Sequence, residues 1–443
     1  MKELSNWIDS MLPKKNDFHI REIIHGTSIA FIYRVAGALL ALSFQVALAR
    51  SLGAEQAGRY ILSISCVLFL TVLGRLGLDT IAVREIAAHA SVNEWRSVRS
   101  IRRKTLGVVL PVTVFLAVCL FTISDWMAVS VFKDPALQLP LKVMAFGAPF
   151  WALAALQSEM LRGLKKVGQY LFIQSIMLPT VSLLGVFLLG TKFGLEGQSL
   201  FYVLATMLSM MVAWGLWHFD VSQREQTGGD DASLNKILKS SLSMLWVAVA
   251  VYINSWIGTI ILGTQGDPAQ VAIYNAASRL ALAPSFLLIS VNSILGPKLS
   301  AIYKSGSMVD LQRVTAQTTR MLFFLVLPLL AAFLVFPKLI LSVFGTEFES
   351  AHLVLRILVV GQMTSFMTGF AGQLLIMTGH EKDVRNVTTV SVIFNIILSL
   401  ILISFFKTFG AACAMTIVTV LTQGLLIYFV NKRLKISVHI LSK

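Results

Sequence analysis

Charge is scarce in this chain of 443 residues: only 13% are Asp, Glu, Lys or Arg, whereas soluble domains average about 25%. Hydrophobic residues make up 56% of the sequence. Apolar runs of about 20 residues, the length of a bilayer-spanning helix, recur along the chain. A soluble protein is therefore excluded, and the sequence predicts a protein that crosses a membrane several times.

Cysteine is almost absent, and motifs for common catalytic and nucleotide-binding sites are missing. Cys66, Cys119 and Cys413 lie in apolar runs without paired spacing, so we expect neither a disulfide framework nor a metal site. The chain has no G-x-x-x-x-G-K-[ST] loop and no H-E-x-x-H motif. We expect no cofactor, no catalytic residue and no enzyme activity, with a membrane glycosyltransferase or polymerase as the less favoured alternative.

Short polar stretches separate the apolar runs, and the alternation typical of barrel strands is absent. Twelve apolar segments are present, near residues 26–48, 60–78, 105–124, 139–160, 170–189, 194–217, 241–263, 270–296, 321–344, 351–378, 386–406 and 409–430. They predict an all-α polytopic membrane protein with twelve transmembrane helices.

The net charge of +15 would suit a nucleic-acid partner, but the placement of the cations indicates membrane orientation instead. If the N-terminus is cytoplasmic, most Lys and Arg residues fall in cytoplasmic loops, of which 79–104 is especially basic. The opposite loops hold only Arg50, Arg59, Lys133, Lys192 and Lys407. Both termini are therefore predicted to be cytoplasmic, and no nucleic-acid binding is expected.

The second half of the chain weakly repeats the first. Residues recur in order at a nearly constant separation: Lys142 and Gly147 as Arg356 and Gly361, Gln157 and Gly163 as Gln373 and Gly379, and Phe193-Gly194 as Phe409-Gly410. Because six is even, two six-helix halves insert with the same orientation. Parallel repeats of this kind are typical of transporters, whose substrate site lies between the halves.

The repeat divides the chain into two helical bundles with polar segments around them. The predicted organisation is a cytoplasmic N-terminal segment 1–25, a bundle 26–217, a cytoplasmic linker 218–240, a bundle 241–430 and a cytoplasmic tail 431–443.

Two arginines are predicted to lie deep in the membrane, where a charge costs about 2.5–3.5 kcal/mol on insertion scales. Arg34 follows the start of its apolar segment by about 12 Å, at about 1.5 Å per residue. Arg279 lies at a similar depth from the other side. Each faces a polar cavity, or else binds a backbone carbonyl or a buried acid. Because the guanidinium matches phosphate with paired donors, the excess of cations favours an anionic guest.

Two further cations, Lys142 and Arg356, lie about one turn below the outer surface. They form a second, outer ring that guides the anionic guest, or they extend to the lipid headgroups.

Acids are fewer in these segments. Asp79 and Glu159 are candidates for ion coupling, or they pair with Arg75 and Arg162.

Six stretches, in this order, resemble the polysaccharide-exporter branch of the MOP superfamily: LGAEQAGRYILSIS, GLDTIAVREIAA, LQSEMLRGLKK, AIYNAASRLA, GPKLSAIYKSG and FGTEFESAHLVLRIL. The resemblance runs from about residue 26 to 433. It is closest to the Wzx-type flippases of O-antigen, capsule and exopolysaccharide synthesis.

The resemblance implies the MOP fold, in which two six-helix bundles form an inverted V around a central cavity. It implies a multi-pass protein of the bacterial inner membrane that carries an undecaprenyl-diphosphate-linked oligosaccharide to the outer leaflet by alternating access. Relatives bind the diphosphate through arginines of the first and eighth helices, which assigns that role to Arg34 and Arg279. Proton or sodium coupling, contacts with membrane lipids, and partners such as a polymerase and a chain-length regulator are implied as well.

The alternative on the same fold is an ion-coupled exporter of small molecules. Multidrug exporters of the superfamily tend to carry a functional acid in the N-terminal bundle. Arg34 in the first helix therefore disfavours a cationic drug.

Overall fold

The computed structural model describes residues 18–189, 193–221, 224, 228 and 234–438. Parts of four predicted segments lie outside these residues: 1–17 of the N-terminal segment, 190–192 of the first bundle, most of 222–233 in the linker, and 439–443 of the tail. The described chain is nearly all α-helical and contains no strand, as predicted for an all-α protein.

In the first part of the chain the helices are α1 (Phe18–Gly74), α2 (Leu78–Ser91), α3 (Trp95–Trp126), α4 (Gln138–Ala145), α5 (Gly147–Gly163), α6 (Val167–Leu171), α7 (Leu178–Leu189) and α8 (Gly194–Val221). In the second part they are α9 (Leu234–Thr264), α10 (Pro268–Leu282), α11 (Ser285–Lys304), α12 (Met308–Val335), α13 (Pro337–Leu341), α14 (His352–Thr368), α15 (Ala371–Met377) and α16 (Glu381–Leu434). Short π-helical or 3-10 turns lie at Met127–Val131, Pro135–Leu137, Phe172–Met177 and Thr346–Ala351.

Eight helical stretches of the described chain are long and apolar enough to cross a membrane, or nine if the bent pair of α4 and α5 is one span. Large apolar side chains cover their outer faces; on α3, for example, Phe115 is 66% exposed and Trp126 is 62% exposed. Lipid rather than water suits such faces because their side chains are apolar. The helices can lie in lipid because each satisfies its own backbone hydrogen bonds. The protein is therefore a multi-pass membrane protein.

The two longest helices are each broken near the middle. In α1 the backbone at Gly53 has φ 75° and ψ 171°, a conformation essentially restricted to glycine. In α16 the break is at Lys407, and Gly410 then lies against the backbone of Leu402. A straight helix would hold residues eight apart at about 12 Å, so α16 folds back sharply at this point. Both breaks fall between two apolar segments of the sequence.

The basic stretch 79–104 was predicted to be a loop, and this prediction is wrong. Most of it is helical, in α2 and the start of α3. The buried side chains of α2 recur every three to four residues: Leu78, Ile81, Ala82 and Ile86. Such spacing places them on one face of a helix, which packs against the helices α5 and α3. The high charge of the stretch belongs to the other face and hid this periodicity.

The helix α10 packs along α1 and thereby joins the second part of the chain to the first. The side of α10 that is buried is rich in small residues: Ala272, Ala276, Ala277 and Ala281. Small residues let helix backbones approach closely in membranes. Where α10 begins, Gly58 of α1 lies so close to Pro268 that a Cβ would overlap the Pro268 carbonyl oxygen.

A second connection lies beside the break in α1. The Arg50 guanidinium donates a hydrogen bond from Nε to the Val343 carbonyl at 2.7 Å. The Ala54 backbone N–H donates to the Glu347 carboxylate at 3.1 Å. Because Ala54 restarts the helix after Gly53, the carboxylate satisfies one of its unpaired N–H groups and interacts favourably with the helix dipole.

We expect Gly58→Ala to lower the thermal midpoint of the detergent-solubilised protein, because the added Cβ forces α1 and α10 apart. Overpacking of this kind costs about 1–3 kcal/mol. Gly107→Ala is the matched control, since no described atom lies within 4 Å of a Cβ at that helical position. Its midpoint should be unchanged or slightly higher. Equal midpoints for the two variants would contradict the close contact.

Candidate functional site

A cavity of about 500 Å³ lies where α1 and α10 meet the helices α6, α7, α9 and α11. Its polar lining consists of Arg34, Gln45, Tyr60, Tyr170, Gln174, Ser175, Ser182, Asn275 and Arg279. Aromatic and aliphatic side chains complete the wall, among them Phe44, Trp256 and Phe286. The site is therefore both polar and enclosed by apolar surface, as is typical of ligand cavities.

The two deep arginines predicted from the sequence both line this cavity. Arg34 of α1 is half-buried, and the side chain of Arg279 on α10 is exposed to the open space. Among the described residues, no carboxylate forms an ion pair with either guanidinium and neither takes part in a hydrogen bond. Of the two interpretations left open by the sequence, the structure therefore places both arginines at a cavity rather than against a carbonyl or an acid.

An uncompensated pair of positive charges makes the cavity attractive to anions. The membrane around it has a low dielectric constant, so that charge interactions inside are stronger than in water. Arginine can bind an anion with two parallel N–H donors and cannot release its proton in a protein. The cavity thus has the chemistry of a site for a phosphate or carboxylate group.

An aromatic ring, and not an acidic side chain, lies beside Arg279 in the described part of the chain. The Arg279 Cζ atom lies 5.0 Å from the centroid of the Trp256 ring. At this distance the guanidinium is attracted by the negative face of the indole. The charge is held in place without being neutralised.

The two further cations predicted from the sequence, Lys142 and Arg356, do not line this cavity. The Lys142 ammonium is 2.8 Å from the Asp125 carboxylate, and Arg356 donates from Nε to the Leu334 carbonyl at 2.9 Å. Both cations therefore have local partners. Their predicted role as an outer ring for the substrate stays a prediction.

The acids Asp79 and Glu159 pair with neighbouring arginines, which is one of the two interpretations of the sequence. Arg75 lies 3.0 Å from the Asp79 carboxylate, and Arg162 lies 2.7 Å from the Glu159 carboxylate. The guanidinium of Arg162 also lies over the ring of Tyr170, at 5.1 Å, and Tyr170 lines the cavity. The acids are thus close to the site, and ion coupling by them stays a prediction.

Several lining residues were not predicted from the sequence. Gln45, Gln174 and Asn275 are amides inside apolar segments, where a polar side chain without a partner is costly. A search for amides in the apolar segments would have found them. Tyr60 and Trp256 carry no comparable signal, because aromatic residues are common throughout membrane helices.

Solved structures share this fold. An inward-facing multidrug resistance MATE family transporter of the MOP superfamily superimposes with a TM-score of 0.77 over 91% of this chain and 98% of its own, at 14% identity. The lipid II flippase MurJ, in an inward closed conformation, superimposes with a TM-score of 0.73 over 92% of this chain and 87% of its own, at 16% identity. The fold is therefore that of the MOP superfamily of transporters.

Sequence comparison is more specific than the fold. The family model described as polysaccharide biosynthesis protein matches residues 23–303, and the chain belongs to this family. A second model, described as lipid II flippase MurJ, matches residues 215–443. The resemblance to the polysaccharide exporters of the MOP superfamily is confirmed.

Individual relatives have names that agree with this family. A probable low-salt glycan biosynthesis flippase of Haloferax volcanii is 25% identical over 387 residues, which are 87% of this chain and 78% of the relative. A protein of Shigella flexneri with the provisional name O-antigen transporter is 23% identical over 71% of this chain and 75% of its own. These relatives are a flippase and a transporter by name.

We expect a cysteine in the cavity to react faster with an anionic thiol reagent than with a cationic one. Ala38 lines the cavity one turn after Arg34. In a variant with Cys66, Cys119 and Cys413 replaced by alanine, the cysteine of Ala38→Cys should favour a sulfonate methanethiosulfonate over a trimethylammonium one by roughly tenfold, because two cations attract the anion. Reaction rates in detergent solution measure this ratio.

Two controls make the reactivity ratio specific. Adding Arg279→Ala should reduce the preference for the anionic reagent. Ser350→Cys, at an exposed position beside Glu347 and Glu349, should show no such preference. A ratio near one at position 38, with normal reactivity of the thiol, would contradict a cationic cavity.

Proposed function

We propose that this protein is a flippase that carries an undecaprenyl-diphosphate-linked oligosaccharide from the inner to the outer leaflet of a bacterial inner membrane, for surface polysaccharide synthesis. The observation that carries the proposal is that Arg34 and Arg279 line one cavity without an acidic partner among the described residues. Membership in the polysaccharide biosynthesis protein family supports a glycan as the cargo. Relatives named as a glycan biosynthesis flippase and an O-antigen transporter support transport of a glycan across a membrane.

In this proposal the two arginines hold the diphosphate group. A diphosphate presents several oxygens, enough for a two-donor contact from each guanidinium. The sugar occupies the polar space among the amide and hydroxyl side chains, and the polyprenyl tail stays in the surrounding lipid. Lys142 and Arg356 receive the diphosphate near the outer leaflet after the cavity opens to that side.

Alternating access requires that the contacts closing one side can separate. The contacts of Arg50 with Val343 and of Ala54 with Glu347 are the polar part of these contacts and lie close to an exposed surface. Polar contacts of this kind exchange readily for contacts with water, so their separation costs little. A proton or sodium gradient would drive the cycle, with Asp79 and Glu159 as the coupling acids.

The proposed membrane organisation has twelve passes in two six-helix bundles, 26–217 and 241–430, with both termini in the cytoplasm. Three features support it beyond the eight or nine spans counted by length. The broken helices α1 and α16 each join two apolar segments, and α10 continues into α11 after a break at Pro284. A polymerase and a chain-length regulator are the proposed partners in assembly of the glycan.

An ion-coupled exporter of small molecules is the second candidate. The fold that the chain shares with a multidrug resistance MATE family transporter is compatible with such a cargo. The two candidates differ in their cargo. Deletion of the gene would change surface polysaccharide in the first case and sensitivity to toxic compounds in the second.

We expect the double variant Arg34→Ala and Arg279→Ala to lose most of its ability to restore surface glycan in a strain that lacks its own flippase. Each lost charge-assisted contact should weaken binding by at least about tenfold. Immunoblots of the surface polysaccharide measure restoration, and membrane blots show equal expression. Arg313→Ala, at an exposed position of α12, is the matched control and should restore normally. Normal glycan from the well-expressed double variant would overturn the diphosphate role.

The proposed orientation has its own test. In the cysteine-free variant, Ser350→Cys should react with an impermeant thiol reagent in intact spheroplasts, because its loop lies outside. Ser305→Cys lies at the opposite end of the helices, in an exposed turn after α11, and should react only after lysis. Labelling of Ser305→Cys in intact spheroplasts would rule the orientation out.

A further inference from the structure

The guanidinium of Arg279 has an unusual setting for a side chain in a membrane protein. It is exposed to the cavity and has no ion pair or hydrogen bond within the described chain. It lies over the ring of Trp256, with 5.0 Å between the Arg279 Cζ atom and the ring centroid. Without that contact, the flexible arginine side chain would have many conformations available and would lose this freedom when an anion binds.

Trp256 is itself held by neighbouring aromatic rings. Tyr252, one turn earlier on α9, stacks against it with a centroid distance of 6.3 Å and an angle of 17°. Phe69 of α1 packs against Tyr252 at 5.1 Å. The Tyr252 hydroxyl donates a hydrogen bond to the Ser65 carbonyl, also in α1. A row of rings thus runs from α1 to the cationic side chain.

The alternatives to an aromatic support would each weaken an anion site. A carboxylate beside Arg279 would neutralise its charge and occupy the N–H groups that an anion needs. A purely aliphatic neighbour would leave the charge without any electrostatic partner. The face of an aromatic ring attracts the face of the guanidinium and leaves its N–H edge free, because the donors lie in the guanidinium plane.

We propose that Trp256 is a positioning residue for diphosphate binding: its ring holds the Arg279 guanidinium in the orientation that presents its N–H edge to the diphosphate of the prenyl-linked cargo. This inference rests on the proposed function, since it assigns Trp256 a part in the same anion site. Trp256 acts through Arg279 and makes no contact with the phosphates in this role.

Farnesyl diphosphate is a suitable soluble analogue, with the same headgroup and a short tail. Its dissociation constant can be measured by calorimetry on the protein in nanodiscs. Trp256→Leu should weaken binding by between about threefold and thirtyfold, the range expected for loss of a cation–π contact at a partly desolvated site. Trp256→Phe keeps a ring and should lose less than Trp256→Leu.

Two comparisons separate positioning from general damage to the fold. Trp246→Leu, on the same helix at a position that is 48% exposed, should bind farnesyl diphosphate as the wild type does. Farnesol lacks the phosphates, so its weaker binding should be the same in Trp256→Leu and in the wild type. A structural defect would affect both ligands alike.

A double-mutant cycle completes the test. In an Arg279→Ala background, Trp256→Leu should have no further effect on farnesyl diphosphate, because the group that it positions is gone. Suppose that Arg279→Ala weakens the binding of farnesyl diphosphate. Wild-type affinity of Trp256→Leu, or losses that add in the double variant, would then overturn the positioning role. Wild-type affinity of Arg279→Ala would instead overturn the anion site, and the positioning role with it.

Discussion

The packing of α10 along α1 is the contact on which the candidate site depends. It brings Arg34 and Arg279, which lie in different halves of the chain, to the wall of one cavity. The contact is possible because small side chains line α10 and a glycine in α1 leaves room for the backbone of Pro268. Lipid tails are as apolar as the helix surfaces, so the hydrophobic effect does not drive helix association in a membrane. Close van der Waals packing must therefore stabilise the contact. A bulky residue at this contact would separate the two cations as well as the two helices.

The distribution of partners among the intramembrane cations explains why only one place in the described chain stands out as an anion site. Lys142 has the carboxylate of Asp125, and Arg75 has that of Asp79. In this conformation, a charge that is already paired is less available to a ligand, since the ligand must compete with the resident acid. Arg34 and Arg279 have no such competitor among the residues that the structure describes, and a cavity that admits polar groups makes their position in apolar segments tolerable. Their charge is therefore available to a guest.

Some residues of this site could be predicted from the sequence and others could not. The arginines were found because a charge in an apolar segment is conspicuous whatever its neighbours are. Lys142 was conspicuous for the same reason, yet its pairing with Asp125 was missed, since a partner 17 residues away depends on how two helices meet. Trp256 was missed because its place in the site depends entirely on what lies beside it. The helices within 79–104 were not predicted, because the many charged residues of this stretch obscure the helical spacing of its apolar residues.

By itself, the sequence determined the membrane-spanning character of the chain, the positions of most helices and the presence of cations within apolar segments. These are properties of single segments, since apolar length and charge can be evaluated without knowing what a segment touches. Only the tertiary structure decided which cations share a cavity, which have an acid or a carbonyl as partner, and that an indole lies beside Arg279. Such facts depend on which helix faces pack together. Small residues at positions such as Gly58 allow this packing between segments that are far apart in the sequence.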